Sequence, residues 1–293
     1  MKRIHLTEEK LGSLIKNTSN KNMVMNVLIG CEESQAVCKA FRDLGHNAYS
    51  CDLQKCSGGH PEWHFNCDIF KVIADKGGIT QAGTEVHVPK WNLLIAHPPC
   101  TYLATSGAQW YYDPADKDLP IDQRRPHPLY PNRAKDREEG AEFFMKLANA
   151  DVDRIAIENP VGIMSTRWRK PDQIFQPWQF GDPARKKTCL WLKNLPVLKP
   201  EYFEEPEGLE VVFKSGKKNP TWYYEALQQA YAEANEWANE NNIDKSTPEG
   251  KKAYKDYLDN ARRRIRSKTF YNVARKMAET WGSIPEDAQF LKK

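Results

Sequence analysis

Apolar positions along this chain follow two rhythms. Met23 to Ile29 (MVMNVLI) is an almost continuous apolar run closed by Gly30, the pattern of a buried strand. Beyond it Val37, Ala40, Phe41 and Leu44 fall at i, i+3, i+4 and i+7, which predicts one face of a helix, with Gly45 placed to end it. His46 to Ser50 predicts a second strand, ending at Asp52. Strand, glycine turn, helix and strand within about thirty residues form a βαβ unit, whose right-handed crossover implies a parallel sheet with helices on its faces.

The same rhythm returns downstream. Trp91 to Ala96 (WNLLIA) predicts a buried strand leading into His97-Pro98-Pro99-Cys100, Glu138 to Ala150 a helix, and Arg154 to Glu158 (RIAIE) another strand. The fold class that follows is α/β, doubly wound and Rossmann-like. Thr105 to Arg133 stands apart as a long polar, proline-rich connection, the kind that forms an active-site lid or a disordered excursion. Pro200 to Asn260 predicts a helix with Tyr223, Leu227, Ala230, Tyr231, Ala234 and Trp237 on one face, then a second helix rich in Lys and Tyr. Phe270, Val273, Ala274, Met277 and Trp281 restore amphipathic spacing and predict a last helix that packs back on the sheet. The expected organisation is an N-terminal extension over 1–22 with a short helix around Glu8 to Lys16, a catalytic domain over 23–199, a small accessory lobe over 200–262 with a possible target-recognition role, and a returning helix and tail over 263–293.

Composition narrows the function class. A chain of 293 residues with 40% hydrophobic residues can bury one substantial core and a smaller lobe. No apolar run reaches the length of a membrane span, and Met1 to Asn22 lacks the apolar core of a signal peptide, so a cytoplasmic location is expected; a monomer is the expected state of assembly. Seven cysteines, scattered and odd in number, fit a reducing compartment in which thiols stay free for chemistry. The net charge of +4 permits nucleic-acid binding through local patches without demanding it.

In doubly wound folds ligands lie over the carboxyl ends of the strands, so Gly30, Asp52, Asp68, Pro98 to Cys100 and Glu158-Asn159 are expected to converge on one crevice. Gly-Cys-Glu-Glu-Ser at 30–34 is not the GxGxxG of a dinucleotide site, which favours a nucleoside lacking phosphates, with Asp52 on its ribose hydroxyls. Two consecutive prolines fix an extended loop that presents Cys100, a residue type able to act as a thiolate nucleophile on an electron-poor ring carbon. Glu158 would stand beside it, able to protonate a ring nitrogen as charge builds during that addition. The plainer alternatives are a cysteine serving as a small core hydrophobe and a glutamate capping a neighbouring helix.

This ordered set of Gly turn, acidic strand end, Asn66-Cys67-Asp68, Pro-Pro-Cys and Glu158-Asn159-Pro160 resembles the motifs of the DNA cytosine-C5 methyltransferases. The chain is similar in particular to short bacteriophage members, with Gly58 to His64 (GGHPEWH), Lys187 to Leu192 (KTCLWL) and Arg266 to Thr269 (RSKT). The resemblance implies an S-adenosylmethionine-dependent methyltransferase fold with the cofactor along Gly30, Cys31, Glu32, Asp52, Leu53, Asp68, Ile69 and Pro98. It implies Cys100 as the nucleophile toward C6 of a flipped cytosine in duplex DNA, Glu158 with Asn159 at N3, and Arg185 or Lys187 as the basic residue near the base. Departures from the family pattern are the Gly-Cys-Glu-Glu-Ser turn and Thr101 after the nucleophile, where the family usually has Gln.

Three other readings are weighed. His97-Pro98-Pro99-Cys100 is also similar to the Asp-Pro-Pro-Tyr loop of amino-methyltransferases, but it lacks both the acidic or amide residue and the aromatic that such enzymes use. Cys51, Cys56, His60, His64 and Cys67 are soft metal donors without a recognisable zinc spacing, so no metal is expected. The basic groups Arg124 and Arg125, Arg167, Arg169 and Lys170, and Arg262, Arg263, Arg264, Arg266 and Lys268 are candidate phosphate contacts, or solvated faces. Methylation of RNA or of a free pyrimidine nucleotide, and a catalytically silent nucleic-acid-binding protein of the same fold, remain the alternative functions.

Overall fold

In the computed structural model, which describes residues 24–285, the apolar runs become strands in chain order. They are β1 (Asn26–Gly30), β2 (Asn47–Cys51), β3 (His64–Phe65), β4 (Gly77–Ile79), β5 (Glu85–His87), β6 (Leu93–Ala96), β7 (Ile155–Pro160), β8 (Gln173–Phe175), β9 (Thr188–Lys193), β10 (Glu210–Val212) and β11 (Lys218–Pro220). The helices are α1 (Ala36–Asp43), α2 (Ile69–Asp75), α3 (Arg133–Ala148), α4 (Met164–Arg167), α5 (Thr221–Glu240), α6 (Pro248–Ser267) and α7 (Tyr271–Gly282). The predicted N-terminal extension, with its helix at Glu8 to Lys16, lies outside the described residues, as does the end of the C-terminal tail.

Seven strands form one sheet in the order β3-β2-β1-β6-β7-β9-β8, parallel from β3 to β7, with β9 antiparallel to both of its neighbours. The chain leaves β1 toward β2 on one side and reaches β6 on the other, so the carboxyl ends of β1 and β6 flank the switch point where such folds bind ligands. β7 runs two residues past the predicted strand end, because Glu158, Asn159 and Pro160 pair with Leu190, Cys189 and Thr188 of β9. The predicted helix at Glu138 begins earlier, at Arg133, through a polar first turn that carries no apolar signal.

Both faces of the sheet are buried, which explains the unbroken apolar runs. On one face Val27, Ile29, Leu93, Ile95, Ala156, Leu190 and Leu192 pack with Val37 and Phe41 of α1 and with Val273, Ala274, Met277 and Trp281 of α7. On the other, Leu28, Leu94, Ala96, Ile155, Ile157 and Trp191 pack with Ile69 and Val72 of α2 and Phe144 and Leu147 of α3. The last helix therefore does return to the sheet, and Asp182 holds its start by accepting hydrogen bonds from the backbone N–H groups of Asn272 and Val273 (3.2 and 3.0 Å). Gly45 ends α1 at φ +85°, a left-handed conformation that suits glycine.

The segment after β9 holds the β10–β11 hairpin and the paired helices α5 and α6. The buried stripe of α5 is Ala226, Ala230, Ala234 and Ala238: it shares Ala230 and Ala234 with the face expected from sequence but leaves out its larger side chains, since small residues at every fourth position let the two helices approach closely. Tyr231 stays exposed, and Trp237 instead stacks on Tyr257 of α6 with ring centroids 4.4 Å apart. The expected division at 262/263 falls inside α6, which continues to Ser267. No helix among the described residues is long and apolar enough to cross a membrane.

Candidate active site

Three loops meet at the carboxyl edge of the sheet. After β1, Gly30 gives way to Cys31 at φ +59°, and the turn is tied to its neighbours by Cys31 N–H donating to Cys51 O (2.7 Å) and His97 N–H donating to Gly30 O (2.9 Å). A Cβ on Gly30 would stand 2.3 Å from Ile69 Cδ1, so a larger residue here would require the Ile69 side chain at the buried start of α2 to shift. Asp52 and Asp68 flank the same turn: burial and these two carboxylates push the Cys31 thiol up to about 12. Each aspartate commits one oxygen to a backbone N–H, Asp52 to Gln54 (2.8 Å) and Asp68 to Phe70 (2.9 Å), and Leu53 is 79% exposed beside them. Two hydrogen-bond-accepting carboxylates with an exposed aliphatic side chain form a set that suits ribose hydroxyls and the face of an adenine.

Glu32 differs from this group. Its carboxylate is buried and accepts from Val37 N–H (2.6 Å) and Cys38 N–H (3.2 Å), so it caps α1 rather than lining the open turn. Burial raises its pKa against the opposing influence of His97 and these two N–H groups.

The second loop, after β6, carries Pro98, buried, and Cys100, exposed. Asn159 of β7, itself 2% exposed, donates from Nδ2 to Pro98 O (2.8 Å) and pins the loop to the neighbouring strand. Arg133 holds the residue after the thiol by donating to Thr101 O (2.9 Å), and its guanidinium lies over the rings of Tyr102 and Tyr111. Withdrawal from solvent pushes the Cys100 thiol above its ordinary pKa; Lys186 and Arg266 pull it down and Glu158 pushes it up. The nucleophile candidate is thus accessible at the crevice mouth and electrostatically coupled to both charges of the site.

The third contribution comes from β7 and β9. The Glu158 side chain is 11% exposed, and its carboxylate accepts a hydrogen bond from His97 Nδ1 at 3.0 Å. Burial raises the Glu158 pKa, but the His97 hydrogen bond and the charges of Lys186 and His97 outweigh it and leave the group below the ordinary glutamate value. Glu158, Lys186 and Thr188 line one crevice with Thr269 and Phe270. Thr269 and Phe270 also border a larger cleft of about 270 Å³ that reaches the accessory helices through Trp222, Glu225, Gln229, Arg266 and Lys268.

The structure therefore gathers Gly30, Cys31, Asp52, Asp68 and Ile69 at one turn, and Pro98, Cys100, Glu158 and Asn159 at the adjacent loop. Arg185 does not join them: its guanidinium forms ion pairs with Glu205 and Glu210. Lys186, one residue on, lines the crevice beside Glu158 instead. Alternation from Thr188 and Leu190 would have found it, since Lys186 has their parity and Glu158 pairs with Leu190 across the ladder. Arg125 pairs with Asp113 and Asp116, Arg167 with Glu138, Arg169 with Asp172 and Arg264 with Glu233, while Arg124 bonds the carbonyls of Leu119 and Lys117. Arg263 is exposed, with no ion pair among the described residues.

The soft donors near β2 serve packing and hydrogen bonding. His64 bonds Ser50 Oγ and Gln54 O, His60 stacks on Trp63, and Cys51 Sγ donates to Cys67 O. Among the described residues no three His, Cys, Asp or Glu side chains are grouped to hold a metal.

No protein-family model matches the chain, and no curated protein matches it. Among solved structures it is similar to an E. coli prophage-encoded protein provisionally described as a DNA modification methyltransferase, with 13% identity and a TM-score of 0.36. That match covers 69% of this chain and 64% of the other, so the chain spans less than two thirds of that protein's length.

Proposed function

We propose that this chain methylates C5 of cytosine in DNA through a covalent bond between Cys100 Sγ and C6 of the base. The observation that carries the reading is the meeting of an accessible thiol, a buried carboxylate and an ammonium group, from Cys100, Glu158 and Lys186, at the switch-point edge of a doubly wound sheet. The Gly30–Cys31 turn with Asp52, Leu53 and Asp68 offers carboxylate acceptors and an apolar side chain that fit S-adenosylmethionine, which when bound would supply an electrophilic methyl group.

The protein's own groups then divide the work. The Cys100 thiolate forms the Sγ–C6 bond, the C5=C6 electron pair shifts onto C5 and the ring, and a proton placed at N3 through Glu158 neutralises the charge that builds there. Once C5 has been substituted, loss of its proton restores the double bond and expels the thiolate. Lys186 stabilises negative charge at the thiolate and carboxylate, and Asn159 keeps the Pro98–Cys100 loop in reach of the ring. Such chemistry needs the base outside the helical stack, which makes an extruded nucleotide the substrate form. Arg263, Arg266 and Lys268 supply positive charge for the phosphates on the accessory side.

Incubation with labelled S-adenosylmethionine and, separately, duplex DNA, RNA and dCMP tests this reading. Label is expected in duplex DNA as 5-methylcytosine. Label confined to RNA or dCMP would reassign the substrate, and label on an exocyclic amine would overturn the mechanism.

A further inference from the structure

Resting on that reading, we infer that His97 is a positioning residue that forms, with Glu158, one proton-donating pair for the base. The pair is built into the core of the site. The two side chains are 8% and 11% exposed and lie 3.0 Å apart, and the His97 backbone N–H is fixed to Gly30 O. With Nδ1 donating to Glu158, the other ring nitrogen, Nε2, is buried and has no hydrogen-bond partner among the described residues. A buried histidine kept only for packing ordinarily has both ring nitrogens satisfied. Here one nitrogen stays open, and the ring sits within the influence of two buried carboxylates, Glu158 on β7 and Glu32 on the β1–α1 turn.

The other groups facing the pair set its proton balance. Lys186, preceding β9, favours an ionised Glu158, and the thiols of Cys100 and Cys189 both respond to the Glu158 charge. Arg266 acts on Cys100. A Glu158 held ionised has no proton of its own to give at neutral pH. A doubly protonated His97 ring can supply one: Nδ1–H first moves to Glu158 Oε2, converting the carboxylate to a neutral carboxyl, and that same proton then passes to N3 as Sγ bonds to C6, leaving neutral His97 and ionised Glu158. Loss of the C5 proton to solvent water, with expulsion of the thiolate, and return of the N3 proton through Glu158 to His97 restore the starting state, with no oxidant or reductant involved.

The pair predicts a particular pH profile for single-turnover trapping of 5-fluorocytosine DNA. Addition needs a thiolate together with a protonated pair. Because the thiol titrates above its ordinary value, the acid-side bend of the profile belongs to the pair and the alkaline bend to Cys100. His97→Asn keeps a hydrogen-bond donor near the Nδ1 position but no titratable proton. It is expected to move the acid-side bend to lower pH and to lower the neutral rate about tenfold for each unit moved, leaving the alkaline bend in place. A uniformly scaled profile with both bends unmoved would overturn the inference and leave His97 a structural residue. Proton NMR gives a second test that does not depend on that variant folding. A downfield Nδ1–H resonance is expected in the parent protein and is expected to vanish in Glu158→Ala; its persistence there would also overturn the pair. Absence of any adduct in the parent at every pH would overturn the proposed function itself, a failure distinct from an unmoved bend.

Discussion

Charge at individual residues decides what the crevice can do. Glu158 is held below the ordinary glutamate value by His97 and Lys186, so its use as a proton-handling group depends on those neighbours. Glu158→Gln is expected to retain DNA binding and to slow adduct formation by about 100-fold to 10,000-fold, the range for losing a general acid, as read by quench-flow trapping. Asp52 has an oxygen beyond the one bonded to Gln54 N–H, and Asp52→Ala is expected to weaken S-adenosylmethionine binding by about 1–3 kcal/mol in calorimetry. Equal affinity would remove Asp52 from the site. At this scale the sequence placed side chains correctly at the carboxyl edge where an apolar run marks the strand that carries them, as for Asp52 just after β2, Cys100 in the loop after β6 and Glu158 within β7. It misled at Arg185, where the long-range partners Glu205 and Glu210 take the guanidinium, and at Glu32, whose carboxylate turns inward to cap α1. His97 entered the sequence reading only through a motif it fails to match, because its partner is sixty-one positions away on another strand.

Elements were readable wherever burial wrote a period into the chain. The strands buried on both faces appear as apolar runs, and α7 shows its sheet-facing stripe at Val273, Ala274, Met277 and Trp281. The short β8, the hairpins and the 3-10 turns of the 105–133 connection carry no such period, since turns and edge strands owe their form to local hydrogen bonds. Helix α5 shows how packing refines hydrophobicity: of the face expected from sequence, close approach to α6 buries Ala230 and Ala234 and extends the stripe to Ala226 and Ala238, while Tyr231 is left exposed. Ala234, fully buried against α6, has no room for a larger group, so Ala234→Leu is expected to destabilise the lobe by about 1–3 kcal/mol in thermal unfolding. An unchanged melting curve would mean that the helices are not packed along this stripe.

For the whole molecule, the sheet supplies the edge where the thiol and carboxylates meet, and the accessory helices supply a cleft beside it. Most of the arginines expected to bind phosphate are ion-paired within the protein, which leaves Arg263, Arg266 and Lys268 as the main contributors on the accessory side. DNA affinity is accordingly expected to fall with salt, and Arg263→Ala to flatten the log–log slope by about 0.9, the value for one phosphate contact. A slope unchanged by the substitution would move the DNA path away from α6. The central claim is the covalent bond. Duplex DNA carrying 5-fluorocytosine, incubated with the protein and S-adenosylmethionine, is expected to give a denaturant-stable adduct that peptide mass spectrometry maps to Cys100, because fluorine cannot leave C5 as a cation; Cys100→Ser is expected to abolish the adduct and turnover while retaining cofactor binding. Full methylation of DNA by Cys100→Ser, or an adduct mapped to another residue, would contradict the account.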